Sequence, residues 1–354
     1  MTSQADFIRG CDQWMCKEGP MDHSIISSRA RYARNLEHIP FAPRAKREQL
    51  CAVAERIDEA ISSSPFFRDF RRLNINEINS LHRLYLKESH LLSSEMEQGG
   101  EFRVIYISPD YRVSIMVNEE DHLRMQCLDV GFQLQKVHAI LSEVETELGR
   151  ALKFAHSERL GYLTACPTNV GTGLRLSVML HLPGLVLVNK IDEILQSVLP
   201  YGLTVRGIYG ENSENFGDFF QISNEVTLGK TWLDLYNTLH SMAEQVVEHE
   251  LKARDALFEQ RPEVTRDVLA RALGVLQNAW IMDSIEAMAH LSKIRLGIDH
   301  GCFRPLSHPD LSRLMIEMLP AHLQCREGGQ LPVERRDSLR ARYLHSRFQG
   351  LALN

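Results

Sequence analysis

Ten residues, Cys166 to Arg175, form the segment that most limits the possible folds of this chain. They follow a short apolar run, residues 161–165, that predicts a buried strand, and they precede a second apolar run that predicts a helix. Gly171 and Gly173 allow backbone N–H groups to approach a ligand, and the Arg175 guanidinium offers a planar fork to phosphate or carboxylate oxygens. The segment therefore predicts an anion-binding loop at the end of a strand.

Two common phosphate-binding motifs do not fit this chain. The Gly171-Thr172-Gly173 sequence lacks the third glycine of a dinucleotide-binding fold. The Gly229-Lys230-Thr231 sequence has Asn224 at the position of the first P-loop glycine. We therefore predict neither a Rossmann site nor a P-loop site.

The 354 residues are enough for two domains, or for one large domain with an appendage. An apolar content of 44% and a charged content of 24% are typical of a soluble globular protein, and a net charge of −6 argues against a dedicated nucleic-acid-binding protein. Residues 1–10 do not resemble a signal peptide, and no apolar run approaches the ~18 residues of a membrane span. Seven scattered cysteines without a CxxC pair predict reduced thiols, so we expect a cytoplasmic protein without membrane or direct nucleic-acid partners.

Helical and extended patterns are mixed in residues 1–258. Apolar residues at helical spacing predict helices, and β-rich runs on both sides of Pro109-Asp110 predict a hairpin. The predicted helices cover residues 45–62, 132–153 and 231–258, the predicted strands cover residues 102–107, 112–117, 203–209 and 219–228, and residues 185–199 are predicted to be a strand that enters a helix. The predicted fold class is α+β, with an antiparallel sheet flanked by helices.

The helical pattern is interrupted at Arg261-Pro262, which we interpret as the best domain boundary. Beyond this point nearly all of the sequence has helical periodicity, in residues 264–296, 309–325 and 333–348. We therefore predict a larger domain of residues 1–258 and a small all-helical C-terminal domain of residues 259–354.

Three arginines lie close together in the segment Ser24 to Asn35. On a strand, Arg29 and Arg31 point to the same face and can converge on one anion, whereas Arg34 need not join them. The alternative is a solvated basic surface, and composition alone favours it.

Three acidic residues, a histidine and an arginine follow the second strand of the predicted hairpin, in Asn118-Glu119-Glu120-Asp121-His122-Leu123-Arg124. They fit either a charged turn that caps a following helix or a carboxylate base held beside an anion-binding arginine, and spacing alone does not decide between the two.

A similar choice exists in the last predicted helix, where Arg336 and Arg340 share a face with Asp337 beside them. An ordinary ion-paired surface is the simpler interpretation there.

Five blocks of this sequence resemble the guanidino phosphotransferases, the phosphagen kinase superfamily. The blocks occur in the order of that family and are Ser27-Ser28-Arg29-Ala30-Arg31, Asn118 to Arg124, Cys166 to Arg175, Arg206-Gly207 with Gly210-Glu211, and Ile222-Ser223-Asn224. The resemblance implies a phosphagen-kinase-like catalytic domain that transfers a phosphoryl group from ATP, with Mg2+ on the phosphates, to a guanidinium acceptor.

Within the superfamily, the chain is most similar to the bacterial protein-arginine kinases of the McsB type. Only 26 residues precede the Ser27-Ser28-Arg29 block, which leaves no room for the helical N-terminal domain of creatine and arginine kinases. The sequence from Arg336 to Ala341 resembles a phosphoarginine-binding regulatory site, which implies that role for Arg336, Asp337 and Arg340. One departure is Met179, which stands where metabolite kinases carry a nucleotide-contacting histidine, so adenine contacts are not carried over.

The resemblance also implies roles for residues in the five blocks. Ser28 and five arginines are expected to bind the phosphates of ATP: Arg29, Arg31, Arg124, Arg175 and Arg206. Glu120 is expected as the base that orients the acceptor guanidinium and takes its proton, and Glu211 as the second carboxylate that holds it. Cys166 is expected as a thiolate near the acceptor, without a covalent phosphoenzyme. No side chain is assigned to Mg2+, which typically binds through substrate phosphates and waters.

The implied activity is phosphorylation of arginine side chains in proteins that expose them. By resemblance, this modification marks proteins for the Clp ATPase and protease system and inactivates a stress-response repressor. The resemblance also implies a McsA-type activator and a homodimer or larger assembly. Two alternatives stay open: a kinase of a free guanidino metabolite such as arginine, and a non-catalytic phosphoarginine-binding adaptor. The presence of both glutamates, Cys166 and all five arginines argues against the adaptor.

Overall fold

The computed structural model describes residues 4–207 and 217–354. The strands in this part of the chain are β1 Ile25–Arg34, β2 Arg71–Asn74, β3 Val104–Ile107, β4 Val113–Val117, β5 Leu123–Val130, β6 His156–Ser157, β7 Gly161–Tyr162, β8 Leu174–His181, β9 Leu203–Gly207 and β10 Phe219–Asn224. The helices are α1 Gln4–Arg9, α2 Arg47–Ser63, α3 Ser80–Glu88, α4 Ser94–Glu97, α5 Leu134–Ala151, α6 Pro183–Leu187, α7 Ile191–Ser197, α8 Trp232–Gln260, α9 Pro262–Asn278, α10 Ser284–Ile298, α11 His308–Glu317, α12 Pro320–Arg326 and α13 Val333–Phe348.

Eight strands form one sheet in the order β2-β3-β4-β5-β1-β8-β10-β9, and every neighbouring pair is antiparallel. β1 lies in the middle of the sheet, between β5 and β8. The hairpin predicted around Pro109-Asp110 is confirmed, because β3 pairs with β4. The prediction of an antiparallel sheet flanked by helices is also confirmed, although the predicted strands omit β2, β5 and β8.

The apolar run that begins at Leu174 is strand β8, so the helix predicted there is wrong. Its apolar residues alternate with residues such as Arg175 and Ser177, which is the period of two that belongs to a strand. The alternate apolar residues are fully buried on one face of the sheet: Leu174, Leu176, Val178 and Leu180. The strand predicted within residues 185–199 is also wrong, because the structure has the end of α6 followed by α7 there.

One face of the sheet is apolar and supports the longest helices. Side chains of β1, β5, β8 and β10 on this face share one cluster with buried side chains of α2, α5 and α8. In α5, buried apolar residues recur at helical spacing, which is why this segment forms a helix on the sheet: Leu134, Val137, Leu141, Val144 and Leu148. Polar and cationic side chains occupy the middle of the opposite face.

The helical break predicted at Arg261-Pro262 is confirmed. α8 ends at Gln260, and Pro262 is the first residue of α9, where its missing N–H removes no helical hydrogen bond. Helices α9, α10, α11 and α13 share an apolar cluster that also includes Phe219 of β10. Ile316 and Ala321 belong to a further cluster with apolar residues of β2, β3 and β4. Across the described ranges, none of the helices combines the length and the apolar character needed to cross a lipid bilayer.

Candidate active site

Five arginines from four strands point to the polar face of the sheet. They are Arg29 and Arg31 on β1, Arg124 on β5, Arg175 on β8 and Arg206 on β9. Arg31 lies directly opposite Arg175, and Arg124 lies opposite Ala33. Arg206 lies opposite Gln221, which is itself opposite Met179, four residues after Arg175. Opposite residues of an antiparallel pair, and residues two apart on one strand, point to the same face. The register therefore brings these five side chains, here called the arginine cluster, to one surface.

Neutral side chains on β8 and β10 hold two of the guanidinium groups. Arg29 donates hydrogen bonds from Nη2 to Gln221 Oε1 at 2.6 Å and from Nε to Ser177 Oγ at 3.4 Å. Arg175 donates from Nη2 and Nε to Ser223 Oγ at 2.9 and 3.3 Å. The sequence motifs single out neither Ser177 nor Gln221. Ser177 lies directly opposite Arg29, a relationship that only the strand register reveals.

The arginine cluster carries positive charge that neighbouring side chains do not fully neutralise. Within the described residues, Arg29, Arg31 and Arg175 form no ion pair, and Arg31 Nε is buried without a hydrogen-bond partner. Burial and the nearby cations Arg124 and Arg175 lower the pKa of Arg29 to about 9. Burial, together with Arg206 and Arg124, lowers the pKa of Arg175 to about 10. These guanidinium groups stay charged at neutral pH although they are buried beside other cations. A bound anion would stabilise them, so the surface is suited to phosphate oxygens.

Glu119 is the carboxylate that orients Arg124. Its Oε1 lies 2.7 Å from Arg124 Nη1, and the Glu119 side chain is 1% exposed. Burial acts to raise the pKa of Glu119, but Arg124 and hydrogen bonds outweigh it, so this pKa is lowered overall. The loop from Asn118 to His122 leads into strand β5, so the alternative of a charged turn that caps a helix is wrong.

Glu120 lies exposed beside this ion pair. Partial burial and the charges of Asp121 and Glu119 raise the pKa of Glu120 above that of an ordinary glutamate. A carboxylate in such an environment binds a cation or a proton more readily than an isolated one. The position of Glu120 therefore suits contact with a guanidinium that approaches the arginine cluster.

Asp121 ties this acidic loop to the segment that carries Cys166. Its Oδ1 accepts hydrogen bonds from Asn35 Nδ2 at 2.5 Å and from the Ala165 backbone N–H at 2.7 Å, and Asp121 is 2% exposed. Ala165 directly precedes Cys166, whose partly buried Sγ lies 3.0 Å from Thr168 Oγ1. The acidic loop and the cysteine are therefore held side by side at the edge of the arginine cluster.

The glycines after Cys166 serve to pack the loop on the protein, rather than to open its backbone to a ligand. Gly171 has φ +119°, and a Cβ there would lie 2.7 Å from the backbone of Thr227 and Leu228. Gly173 has φ +61°, and a Cβ there would lie 2.5 Å from Nη1 of Arg34. Of the predicted loop, it is therefore Arg175, on β8, that lies on the surface of the arginine cluster.

Ser28 does not reach the arginine cluster. It is fully buried and points to the opposite face of the sheet, where Oγ donates to the Gly131 carbonyl at 2.8 Å and accepts from the Gln133 N–H at 2.9 Å. Ser28 therefore connects β1 to the start of α5, and this geometry contradicts its expected contact with phosphate. Arg34 also lies apart, as expected, and pairs with Glu145 at 2.9 Å.

The expected second carboxylate, Glu211, lies outside the described residues. Met179 is on the arginine face, and its partly buried side chain packs against the apolar cluster of the C-terminal helices.

His90 is a neighbour of the arginine cluster that the sequence motifs miss. His90 is exposed to solvent, but the protein atoms around its ring and the Arg29 cation lower its pKa to about 4. Gln126, opposite Arg31, donates a hydrogen bond of 2.8 Å to the His90 carbonyl.

In the C-terminal Arg-Asp motif, Arg340 is buried and not part of an ion-paired surface. It donates to the carbonyls of Met318 and Met282, each at 2.9 Å, and pairs with Asp337 at 2.7 Å. These bonds fasten α13 to the end of α11 and to the segment before α10. Arg336 is partly exposed on the same helix. The simpler interpretation of this motif as an ordinary surface pair is therefore wrong for Arg340.

The geometry is suited to phosphoryl transfer. Such a reaction needs a rigid set of cations around phosphate oxygens, since the transferred group carries its charge on those oxygens. Strands supply that rigidity here, because four neighbouring or nearly neighbouring strands carry the five cations. A carboxylate and a thiol at the edge of the same surface can contact a cationic acceptor.

Comparison with known families and structures agrees with this geometry. A family model described as "ATP:guanido phosphotransferase, C-terminal catalytic domain" matches residues 52–253, and one described as "Protein-arginine kinase McsB C-terminal domain" matches residues 262–354. A taurocyamine kinase of Schistosoma mansoni with bound transition state analog components is 29% identical, with a TM-score of 0.60 over 66% of this chain and 34% of that chain. The crystal structure of a lombricine kinase, 23% identical with a TM-score of 0.58 over 67% of each chain, shares the fold.

Curated relatives cover nearly the whole chain. The protein-arginine kinase of Halothermothrix orenii is 40% identical over 96% of this chain and 97% of that protein. The protein-arginine kinase of Bacillus subtilis is 41% identical over 95% of this chain and 93% of that protein. The chain therefore belongs to the protein-arginine kinases of the ATP:guanido phosphotransferase family, which transfer a phosphoryl group to the guanidinium of arginine side chains.

Proposed function

We propose that the arginine cluster binds the phosphate oxygens of ATP. One observation carries this proposal: the sheet register turns Arg29, Arg31, Arg124, Arg175 and Arg206 to one face, where the first two and Arg175 have no ion-pair partner in the described residues. Each guanidinium can hold two oxygens and stays cationic at neutral pH. Mg2+ bound to the nucleotide would neutralise part of the phosphate charge.

Glu120 is the proposed base. A guanidinium has a pKa above about 12 and delocalised lone pairs, so it must be oriented and lose a proton before it attacks phosphorus. The Glu120 carboxylate accepts that proton from the acceptor nitrogen, and its raised pKa favours this transfer. Glu211, outside the described residues, is proposed to hold the other edge of the guanidinium, and Cys166 to position it as a thiolate.

The proposed substrates are arginine side chains that other proteins expose. Phosphorylation replaces a positive charge with a negative one, so a DNA-binding repressor modified in this way would lose contacts to DNA phosphates. We propose that the modification also marks proteins for the Clp system, that a McsA-type partner activates the enzyme, and that the reaction takes place in the cytoplasm.

The C-terminal domain, residues 259–354, is proposed to regulate the catalytic domain of residues 1–258 by binding phosphoarginine. In this proposal the partly exposed Arg336 and the carboxylate of Asp337 face the ligand. Arg340 fixes Asp337 through the 2.7 Å pair and holds the helix through backbone carbonyls. We also propose a homodimer or larger assembly.

Mass spectrometry tests the proposed substrate and base. The purified chain is incubated with Mg-ATP and a histone under non-acidic conditions, with free arginine in a parallel reaction and Glu120→Gln as the control. Phosphate on histone arginines with free arginine unmodified, and no transfer by Glu120→Gln, is the expected result. Phosphorylated free arginine would favour a metabolite kinase, and an active Glu120→Gln variant would refute Glu120 as the base. No transfer to either acceptor, even with an activator, would favour the phosphoarginine-binding adaptor.

A further inference from the structure

Helix α10 contacts the ends of β1, β8 and β10. Strands β1 and β8 carry three of the five arginines of the cluster, and β10 carries Gln221 and Ser223, which bind two of them. Arg295 Nη2 donates at 2.6 Å to the carbonyl of Asp22, three residues before β1. Ser292 Oγ lies 2.9 Å from Nε2 of His181, the last residue of β8. Lys293 and Ser292 both reach Asp218, which directly precedes β10. Because β1 and β10 begin where β8 ends, these contacts all lie at the same end of the three strands.

Among the contacts of α10 with the strand ends, Asp218 is held by two α10 side chains at once. Lys293 Nζ and Ser292 Oγ lie 2.5 and 2.6 Å from Asp218 Oδ2, and the side chains of Lys293 and Asp218 are 19% and 6% exposed. Asp218 has φ 61°, a left-handed conformation that is costly for a residue with a Cβ and needs support from its surroundings. The Asp218 carbonyl also accepts a hydrogen bond of 2.9 Å from the Leu182 N–H.

The preceding residue leaves no space between this turn and α10. Gly217 has φ +70°, and a Cβ there would lie 2.4 Å from Met288 Cγ of α10. The backbone at residue 217 is therefore packed directly on the helix, and β10 starts from a fixed point.

The hydroxyl of Ser292 connects His181 to Asp218, and its single proton sets the direction of both hydrogen bonds. Since Asp218 accepts the Ser292 hydroxyl proton, the Nε2–H of His181 donates to the Ser292 oxygen. His181 is fully buried, and burial with the cations Arg254, Arg295 and Lys293 holds its pKa well below the ordinary value, so it stays neutral. The ends of β8 and β10 are thus joined through one serine of α10.

We propose that Lys293 and Ser292 are positioning residues for phosphoryl transfer. Through Asp218 they fix the start of β10 and thereby Gln221 and Ser223, which orient Arg29 and Arg175. The C-terminal helices then support the nucleotide site from outside it, through α10 side chains that contact Asp22, His181 and Asp218. This inference rests on the proposed binding of ATP phosphates by Arg29 and Arg175.

The test measures nucleotide affinity and turnover in full-length variants. Lys293→Met removes the cation, and Ser292→Ala, a smaller change, serves if the first variant does not fold. We expect the Kd and KM for ATP to rise about tenfold, as is typical for coupling between sites, while kcat changes much less. Lys293→Arg is expected to restore affinity, which loss of stability alone does not explain. Lys252→Met is the matched control, because Lys252 forms an exposed 2.5 Å pair with Glu248 on α8.

Arg175→Lys separates the inference from the proposal on which it rests. If Arg175→Lys weakens ATP binding while folded Lys293→Met and Ser292→Ala bind ATP like the parent chain, the positioning role is overturned and the arginine site stands. If Arg175→Lys also binds ATP normally, the proposed phosphate site fails, and the inference fails with it. If the Kd for ATP rises no more in Lys293→Met than in the control Lys252→Met, the positioning role is also overturned.

Discussion

Glu119 and Arg124 form an ion pair of 2.7 Å in which the carboxylate is hidden and the guanidinium is not. The Glu119 side chain is 1% exposed, and the Arg124 side chain is 24% exposed. The buried acid fixes one edge of the arginine and leaves another edge accessible on the arginine face. Glu119 therefore acts through Arg124, whereas the exposed Glu120 next to it is available to a substrate.

Glu119→Gln is expected to lower kcat/KM for ATP by about 10²-fold, because small displacements of a positioned group cost about that much. Steady-state kinetics with a protein acceptor measures the effect. Asp129→Asn is the control: it removes the charge that pairs with Arg112 at 3.0 Å and with Lys136 at 2.8 Å, at the other end of β5, and is expected to leave kcat/KM unchanged. Equal kinetics for Glu119→Gln and the parent chain would contradict a role of Glu119 in orienting Arg124.

Ser28→Ala is expected to reduce stability without weakening ATP binding. The hydroxyl makes two buried hydrogen bonds, so its loss is expected to lower the free energy of unfolding by about 1–3 kcal/mol. Urea denaturation measures this change, and the KM for ATP is expected to stay the same. A higher KM with unchanged stability would instead support the phosphate contact that the family resemblance implied.

Glu120→Gln is expected to abolish transfer and to stabilise the fold at neutral pH. The folded-state pKa of Glu120 is raised, by partial burial first and then by Asp121 and Glu119, so its ionised form is disfavoured in the folded protein. The stability that protonated Glu120 contributes is present below its unfolded pKa and is lost as the pH rises through its folded pKa. Melting temperatures of both chains across acidic to neutral pH measure this effect, and the advantage of the variant is expected to shrink as the pH falls.

The same titration predicts that transfer by the parent chain rises with pH through the pKa of Glu120, because the base must be ionised to accept a proton. Glu143→Gln removes an exposed carboxylate on α5 and is the control for loss of charge. A melting temperature for Glu120→Gln that is lower than that of the parent chain at neutral pH would contradict the predicted repulsion among the three acids.

Arg340→Met is expected to destabilise the chain by about 3–5 kcal/mol, because it leaves Asp337 without its buried partner and two carbonyls without donors. Arg342→Met, at an exposed position of the same helix, is expected to change the free energy of unfolding by less than about 0.5 kcal/mol. Chemical denaturation of both variants makes the comparison. Equal free energies of unfolding for Arg340→Met and Arg342→Met would mean that Arg340 does not fasten α13. The Arg340→Met variant would then be stable enough for a direct test of phosphoarginine binding.

Local patterns are sufficient for most of the longer helices and for strands β3, β4, β9 and β10. Helix α5 and the β3–β4 hairpin follow from apolar spacing and a turn dipeptide, and α9 begins at Pro262 for a local stereochemical reason. β8 was not recognised from its apolar content because a short buried strand and a buried helix have similar composition, and only their period distinguishes them.

The chemistry of the candidate site can be read from local motifs, which supply five arginines, Glu120 and Cys166, and the alternation of Arg29 and Arg31 places those two on one face. Which of these residues meet depends on how the strands pair. Strand register is a long-range property, so it alone sets Arg31 against Arg175 and brings Ser177 and Gln221 to Arg29. The contacts of α10 with three strand ends are invisible in the sequence for the same reason, since they join residues more than 70 positions apart that only packing brings together.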